Sequence, residues 1–120
     1  MTRSIVTMLL LALGACSKDQ GLATIEDAEA FAKARGVVLT EKTEHKEQIV
    51  APRSYGYRAN GTVDLDITQF ASPEAAGKWK TLMNDLPLGS ATRIQKGPLV
   101  LSVWGATDAE RQKVISALQQ

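Results

Sequence analysis

Asp64 and Asp66 stand two residues apart in the alternating stretch Val63-Asp64-Leu65-Asp66-Ile67. In an extended strand that spacing sends both carboxylates to one face. Paired acids there can bind a cation or exchange protons as general acid and base. His45, the only histidine, lies in the charged run of residues 41–47. Among glutamates its imidazole could gain a proton or take a metal, but one histidine with no partner at fixed spacing does not make a metal site. Cys16 is the only cysteine. It cannot form an internal disulfide, and as a nucleophile it would need His45 as its base. The chain has no HExxH, no Gly-rich phosphate loop and no GxSxG. The alternation of a half-buried strand already accounts for the two aspartates. The sequence thus nominates no catalytic residue, no metal ligand and no cofactor.

A second group suits binding rather than reaction. Tyr55 and Tyr57 lie on an alternating stretch with Arg53 and Arg58 beside them. Tyrosine and arginine dominate binding hot spots, because they combine large contact area with hydrogen bonds. Pro52 cannot donate to a sheet ladder, so it places this strand at an edge. These four residues are the candidate partner-binding surface. The competing reading has both tyrosines covering the core with their hydroxyls in water.

The elements that must position these groups are legible from their punctuation. Thr24 with Asp27 caps a first helix whose apolar face is Ile25, Ala28, Phe31 and Ala32, and Gly36 ends it. Residues 37–43 have the β-branched content of a strand. Asn60-Gly61 is a hairpin signal between residues 54–59 and a return strand at 62–70. Ser72-Pro73-Glu74 opens a second helix, with Ala75, Ala76, Trp79, Leu82, Met83 and Leu86 on its apolar face. Pro87 and Gly89 end it. Residues 93–96 form a short strand, and the run 99–104 is hydrophobic enough for a central one. Thr107 with Glu110 caps the last helix. Strands joined by tight turns pair antiparallel. The expected fold is therefore a small α+β domain: an antiparallel sheet of four or five strands with about three helices packed on one face. Phe31, Leu65, Trp79, Leu101 and Ile115 are its expected core.

The chain begins differently. Arg3 precedes the apolar block of residues 5–13, and the small residues Gly14 and Ala15 lead to Cys16. A helix over that block rises roughly 14 Å, about half of a bilayer core of roughly 30 Å. A basic start, a short apolar block and small residues make the pattern of a cleavable export signal. Leu13-Gly14-Ala15-Cys16 resembles the lipobox of bacterial lipoprotein precursors. The resemblance covers residues 1–16 only. It implies cleavage between Ala15 and Cys16, diacylglycerol on the Cys16 thiol and acylation of the new amino group. Ser17, rather than aspartate, follows the cysteine, which by the same resemblance favours the outer membrane, facing the periplasm, in a Gram-negative cell. Residues 1–15 are then a cleaved signal, 16–22 a lipidated cysteine with a short tether, and 23–120 one globular domain. The tether reaches at most roughly 20 Å.

Composition fits one small globular domain: 44% hydrophobic and 22% charged residues over 120 positions. Arg3 leaves with the signal, so the 14 Lys and Arg of the full chain fall level with the 13 Asp and Glu. That balance argues against a nucleic-acid partner and against electrostatic membrane binding. The expected partners are the membrane, through acylated Cys16, and an envelope protein or component. Two function classes stay open. One is a non-catalytic binding or structural lipoprotein close to the membrane surface. The other is a small carboxylate-based hydrolase or ligand-binding lipoprotein using the Asp64, Asp66 and His45 side, which requires those groups to converge in a cleft.

Overall fold

The computed structural model describes residues 22–46, 53–86 and 91–120. Its central strand is β3 (Val63–Gln69). Val63, Leu65 and Ile67 are buried on one side of it, while Asp64 and Asp66 take the other. Asn60 and Gly61, at φ 52° and 81°, turn the chain back from β2 (Arg53–Ala59) into β3. Both positions lie in the left-handed region that Asn and Gly tolerate. Asn60 also ties down the preceding segment: its Oδ1 accepts from the Val38 N–H at 2.9 Å, and its N–H donates to the Val38 carbonyl at 2.8 Å. With β1 (Leu39–Glu44), β4 (Thr92–Lys96) and β5 (Leu99–Trp104), the sheet has five strands in the order β1-β2-β3-β5-β4. Every neighbouring pair is antiparallel. Three helices, α1 (Ile25–Ala34), α2 (Pro73–Asp85) and α3 (Asp108–Gln119), complete the expected α+β domain.

The expected caps are in place. The Thr24 hydroxyl accepts from the Asp27 N–H, and the Asp27 carboxylate accepts from the Thr24 N–H at 3.2 Å. Gly36, at φ 83°, ends α1: its N–H reaches the Lys33 carbonyl, and the Val37 N–H reaches that of Ala32. Ser72 accepts from the Ala75 N–H at the start of α2. At α3, Thr107 Oγ1 accepts from the Glu110 N–H at 3.2 Å, and Glu110 Oε2 also accepts from the Thr62 hydroxyl at 2.7 Å. Thr107→Ala should therefore cost about 1 kcal/mol. Urea melts check this, with the midpoint expected to fall and the slope to stay unchanged.

One feature of the packing corrects the expectation that the helices share one face. α1 and α3 do so: Ile25, Ala28 and Ala32 with Val114, Ile115 and Leu118 bury Leu65, Ile67, Leu101 and Val103. α2 lies on the other face, where Ala75, Ala76 and Trp79 meet Phe70 and Val100. The connection dictates this. β5 lies between β3 and β4, antiparallel to both, so β3 and β4 run parallel and α2 crosses over β5 to join them. Val100, facing away from Leu99 and Leu101, is the apolar residue that receives it. That small receiving surface leaves Leu82 57% exposed and Leu86 40% exposed, although sequence periodicity put both on the apolar face. Of the expected core, Leu65, Leu101 and Ile115 are buried, and Phe31 packs half-buried against them. Trp79 belongs to the second cluster, 5.4 Å from the Phe70 ring.

Residues 1–15, Cys16 and the tether as far as Gly21 lie outside the described residues, as do Pro52, Pro87 and Gly89. Among the described residues no helix is long and apolar enough to cross a membrane.

Candidate functional site: the open half of the second sheet face

α2 covers β5 and β4 and leaves the second face of β1, β2 and β3 without a helix among the described residues. Cross-strand register lays two rows of side chains across this face. Thr40, Arg58, Asp64 and Trp104 form the first. Thr43, Gly56, Asp66, Ser102 and Arg93 form the second. Gly56 presents no side chain, so the face sinks at that point. The result is a depression of about 260 Å³ lined by Glu41, Thr43, His45, Gly56, Arg58, Asp64, Asp66 and Trp104, with the Tyr57 backbone beneath.

His45 reaches this face through an irregularity in β1. Two residues, Glu41 and Lys42, oppose Tyr57 alone, because Thr40 pairs with Arg58 and Thr43 with Gly56. Glu41 absorbs the extra residue with φ 56°. A bulge of this kind re-phases the strand and re-aims the side chains beyond it. Without it, positions 40, 42 and 44 would share a face. With it, Thr40 and Thr43 do, Glu44 pairs with Tyr55 on the core side, and His45 turns toward Asp66. His45 Nε2 lies 3.1 Å from Asp66 Oδ1. Gly56 makes the contact possible: a Cβ there would stand 2.9 Å from His45 Nε2 and 3.1 Å from Asp66 Oδ1.

The two aspartates differ in surroundings. Asp64 Oδ1 faces Arg58 Nε at 3.4 Å, a pair worth at most about 1 kcal/mol at this exposure. Gly105, at φ 80°, lets the Asp64 carboxylate lie against the chain, since a Cβ at that position would stand 2.6 Å from Oδ2. Asp66 sits deeper. Burial pushes its carboxyl above the ordinary value of 3.8, and the hydrogen bond from His45 only partly opposes this. A raised carboxyl pKa means the folded state holds its proton more tightly than the unfolded chain does. Ionised Asp66 therefore weakens the fold above its folded pKa, and the penalty disappears below 3.8. Asp66→Asn should melt above the wild type at pH 7 and level with it near pH 3. Equal melting temperatures at both pH values would contradict this account.

The tyrosine–arginine group does not assemble as the sequence suggested. β2 lies between β1 and β3, not at an edge. Tyr57 is 6% exposed in the main core, and its hydroxyl donates to Glu29 Oε2 at 2.5 Å. Tyr55 is half-buried on the same face, with Lys42 4.6 Å and Arg53 5.5 Å from its ring centroid. Arg53 binds both oxygens of Glu26, at 2.9 and 2.6 Å, and this holds the Glu26 carboxyl down to about 2. Arg58 points to the opposite face and joins Asp64. Strand parity explains the split, since 53, 55 and 57 share a face that 58 does not.

A larger cleft of about 520 Å³ opens between α1 and β1, lined by Val37, Val38, Leu39, Lys33 and Tyr57. Its acid is already engaged, because Glu29 takes both Tyr57 and Lys42, the latter at 2.7 Å. A second set of polar groups, His45, Arg58, Asp64 and Asp66, converges on the depression over Gly56. Among the described residues no three His, Cys, Asp or Glu side chains stand close enough to hold a metal ion. No protein-family model, no curated protein and no solved structure matches the chain.

Proposed function

We propose that the chain is a lipid-anchored envelope protein, a binding lipoprotein held at the membrane by acylated Cys16. In a Gram-negative cell it faces the periplasm from the outer membrane and takes its partner on the open half of the second sheet face. Leu13-Gly14-Ala15-Cys16, whose cysteine stands six positions before Leu22, supports the anchor. The observation that carries the binding reading is the gathering of His45, Arg58, Asp64, Asp66 and Trp104 around one depression. The described chain begins near the Gln69 end of β3. Leu22 lies against the β4–β5 turn at Gly97, and the Ile25 N–H donates to Gln69 Oε1 at the end of β3. Asp64 lies five strand residues away, about 17 Å.

Cross-linking of the intact protein in cell envelopes tests this. Arg58→Ala removes a half-exposed side chain and should cost the fold about 1 kcal/mol or less, yet reduce recovery of the cross-linked partner about tenfold. Recovery equal to wild type would reject this face as the contact. The His45–Asp66 contact favours a second reading, a small hydrolase, because an acid of raised pKa bonded to an imidazole can act as an acid–base pair. Release of a product from envelope extracts, lost in His45→Gln, would select it.

A further inference from the structure

We infer that the depression over Gly56 binds one ring of a neutral oligosaccharide, with Trp104 as the stacking wall. The inference rests on the proposed reading of this face as the binding surface. It starts from the shape. Gly56 forms a floor with no side chain, and a Cβ there would stand 2.9 Å from His45 Nε2 and 3.1 Å from Asp66 Oδ1, so His45 would have to move and Asp66 to give slightly. About 260 Å³ lies just below the roughly 300–1,000 Å³ of pockets that enclose drug-sized ligands, so the site takes one ring of a chain whose remainder stays outside.

The chemistry of the lining selects the class. Trp104 is half-buried on β5, directly across from Asp64, and offers a flat apolar surface beside polar groups. Acids and bases alternate: Arg58 stands against Asp64 at 3.4 Å and His45 against Asp66 at 3.1 Å. A cationic ligand would displace Arg58 or His45 from its acid and then meet the displaced group. An anion would do the same to an aspartate. A hydroxyl meets neither obstacle. It accepts from Arg58 while donating to Asp64, and both partners keep their charges compensated. Pairs at this exposure are worth only about 0.2–1 kcal/mol, so a hydroxyl can enter between them. Thr43 adds a group that both donates and accepts. A pyranose ring carries that combination, with C–H faces for the indole and hydroxyls around its rim. Hydroxyls bonded to paired polar groups give orientation, and the apolar face on Trp104 gives affinity.

The test uses the full-length chain with its anchor, in a detergent without a sugar headgroup. The chain has two tryptophans, so Trp79→Phe leaves Trp104 as the only one. Its fluorescence is followed against cellotriose and chitotriose, and separately against choline and inorganic phosphate. The expected result is a saturable change with at least one trisaccharide at about 1 mM or tighter and none with choline or phosphate. By calorimetry, Trp104→Ala and Gly56→Ala should each weaken that binding about tenfold or more. Arg58→Ala, half-exposed and cheap for the fold, should do so as well if either of those fails to fold. Saturation by choline or phosphate alone overturns the proposal. So does the absence of trisaccharide binding at about 10 mM, or binding left intact by these variants. Partner capture that still depends on Arg58, without trisaccharide binding, would reject the ligand class and keep the face. Loss of both dependences would reject the face.

Discussion

Tyr57→Ala should destabilise the domain by about 3–5 kcal/mol, the cost of truncating a buried aromatic side chain. The ring lies in the main core under α1 and its hydroxyl is bound to Glu29, so the change opens a cavity and removes an anchor of the helix together. Tyr57→Phe isolates the second effect and should cost about 1.5–3 kcal/mol, as hydrogen bonds to charged groups do. The ionisation of Tyr57 gives an independent check. Burial first, and then Glu29, pushes its phenol well above the ordinary 10.0. The folded state thus keeps a proton that the unfolded chain releases, and this contribution to stability is lost as pH rises above 10.0. Urea midpoints of the wild type should fall across that range more steeply than those of Tyr57→Phe. A Tyr57→Ala loss below about 1 kcal/mol would return the residue to the exposed contact role that its strand position first suggested.

Cys16→Ser should leave the protein either unprocessed, with its signal uncleaved, or unanchored, outside the membrane fraction. Each buried methylene of an acyl chain contributes about 0.8 kcal/mol, so two or three chains hold firmly where one holds marginally. Little else would hold the protein there. The full chain carries a net charge of only +1, and among the described residues no helix is a candidate span. Fractionation and the electrophoretic size of the product read both effects. Recovery of the variant with membranes, at the size and yield of the wild type, would refute the anchor. Separating the two membranes on a density gradient then tests the outer-membrane assignment, which depends on Ser17. A purely inner-membrane signal would refute that part alone.

Local grammar in the sequence was read well because each device acts over three or four residues. Thr24 with Asp27, Thr107 with Glu110, Gly36 and Asn60-Gly61 each satisfy or turn the backbone beside them, whatever the rest of the chain does. The alternation of Val63, Leu65 and Ile67 likewise set the faces of β3. The hidden features depended on distant partners. The apolar stripe of α2 said that it packs, but not that Val100 and Phe70 would be nearly all it packs on, so Leu82 and Leu86 remain outside. Pro52 suggested an edge, yet the sheet order places β2 inside. The His45–Asp66 contact had no local signal. It needs a glutamate at positive φ, which propensity disfavours, and a glycine one strand away. The separation of Arg58 from Tyr55 and Tyr57 could have been read from parity alone.

The bulge at Glu41 bears on more than the aim of His45. Among the described residues β1 is an outer strand, and such a rim would ordinarily be a template on which another chain could add a strand. Its residues from Thr40 to Glu44 are all exposed and include Glu41, Lys42 and Glu44, and the bulge breaks the regular spacing that a docking backbone needs. At the other rim β4 is short and carries Arg93 and Lys96. Proteins confined to a bilayer leaflet meet one another far more often than in free solution. On the proposed anchor, rims that are charged and irregular would let copies of this chain crowd side by side without fusing their sheets.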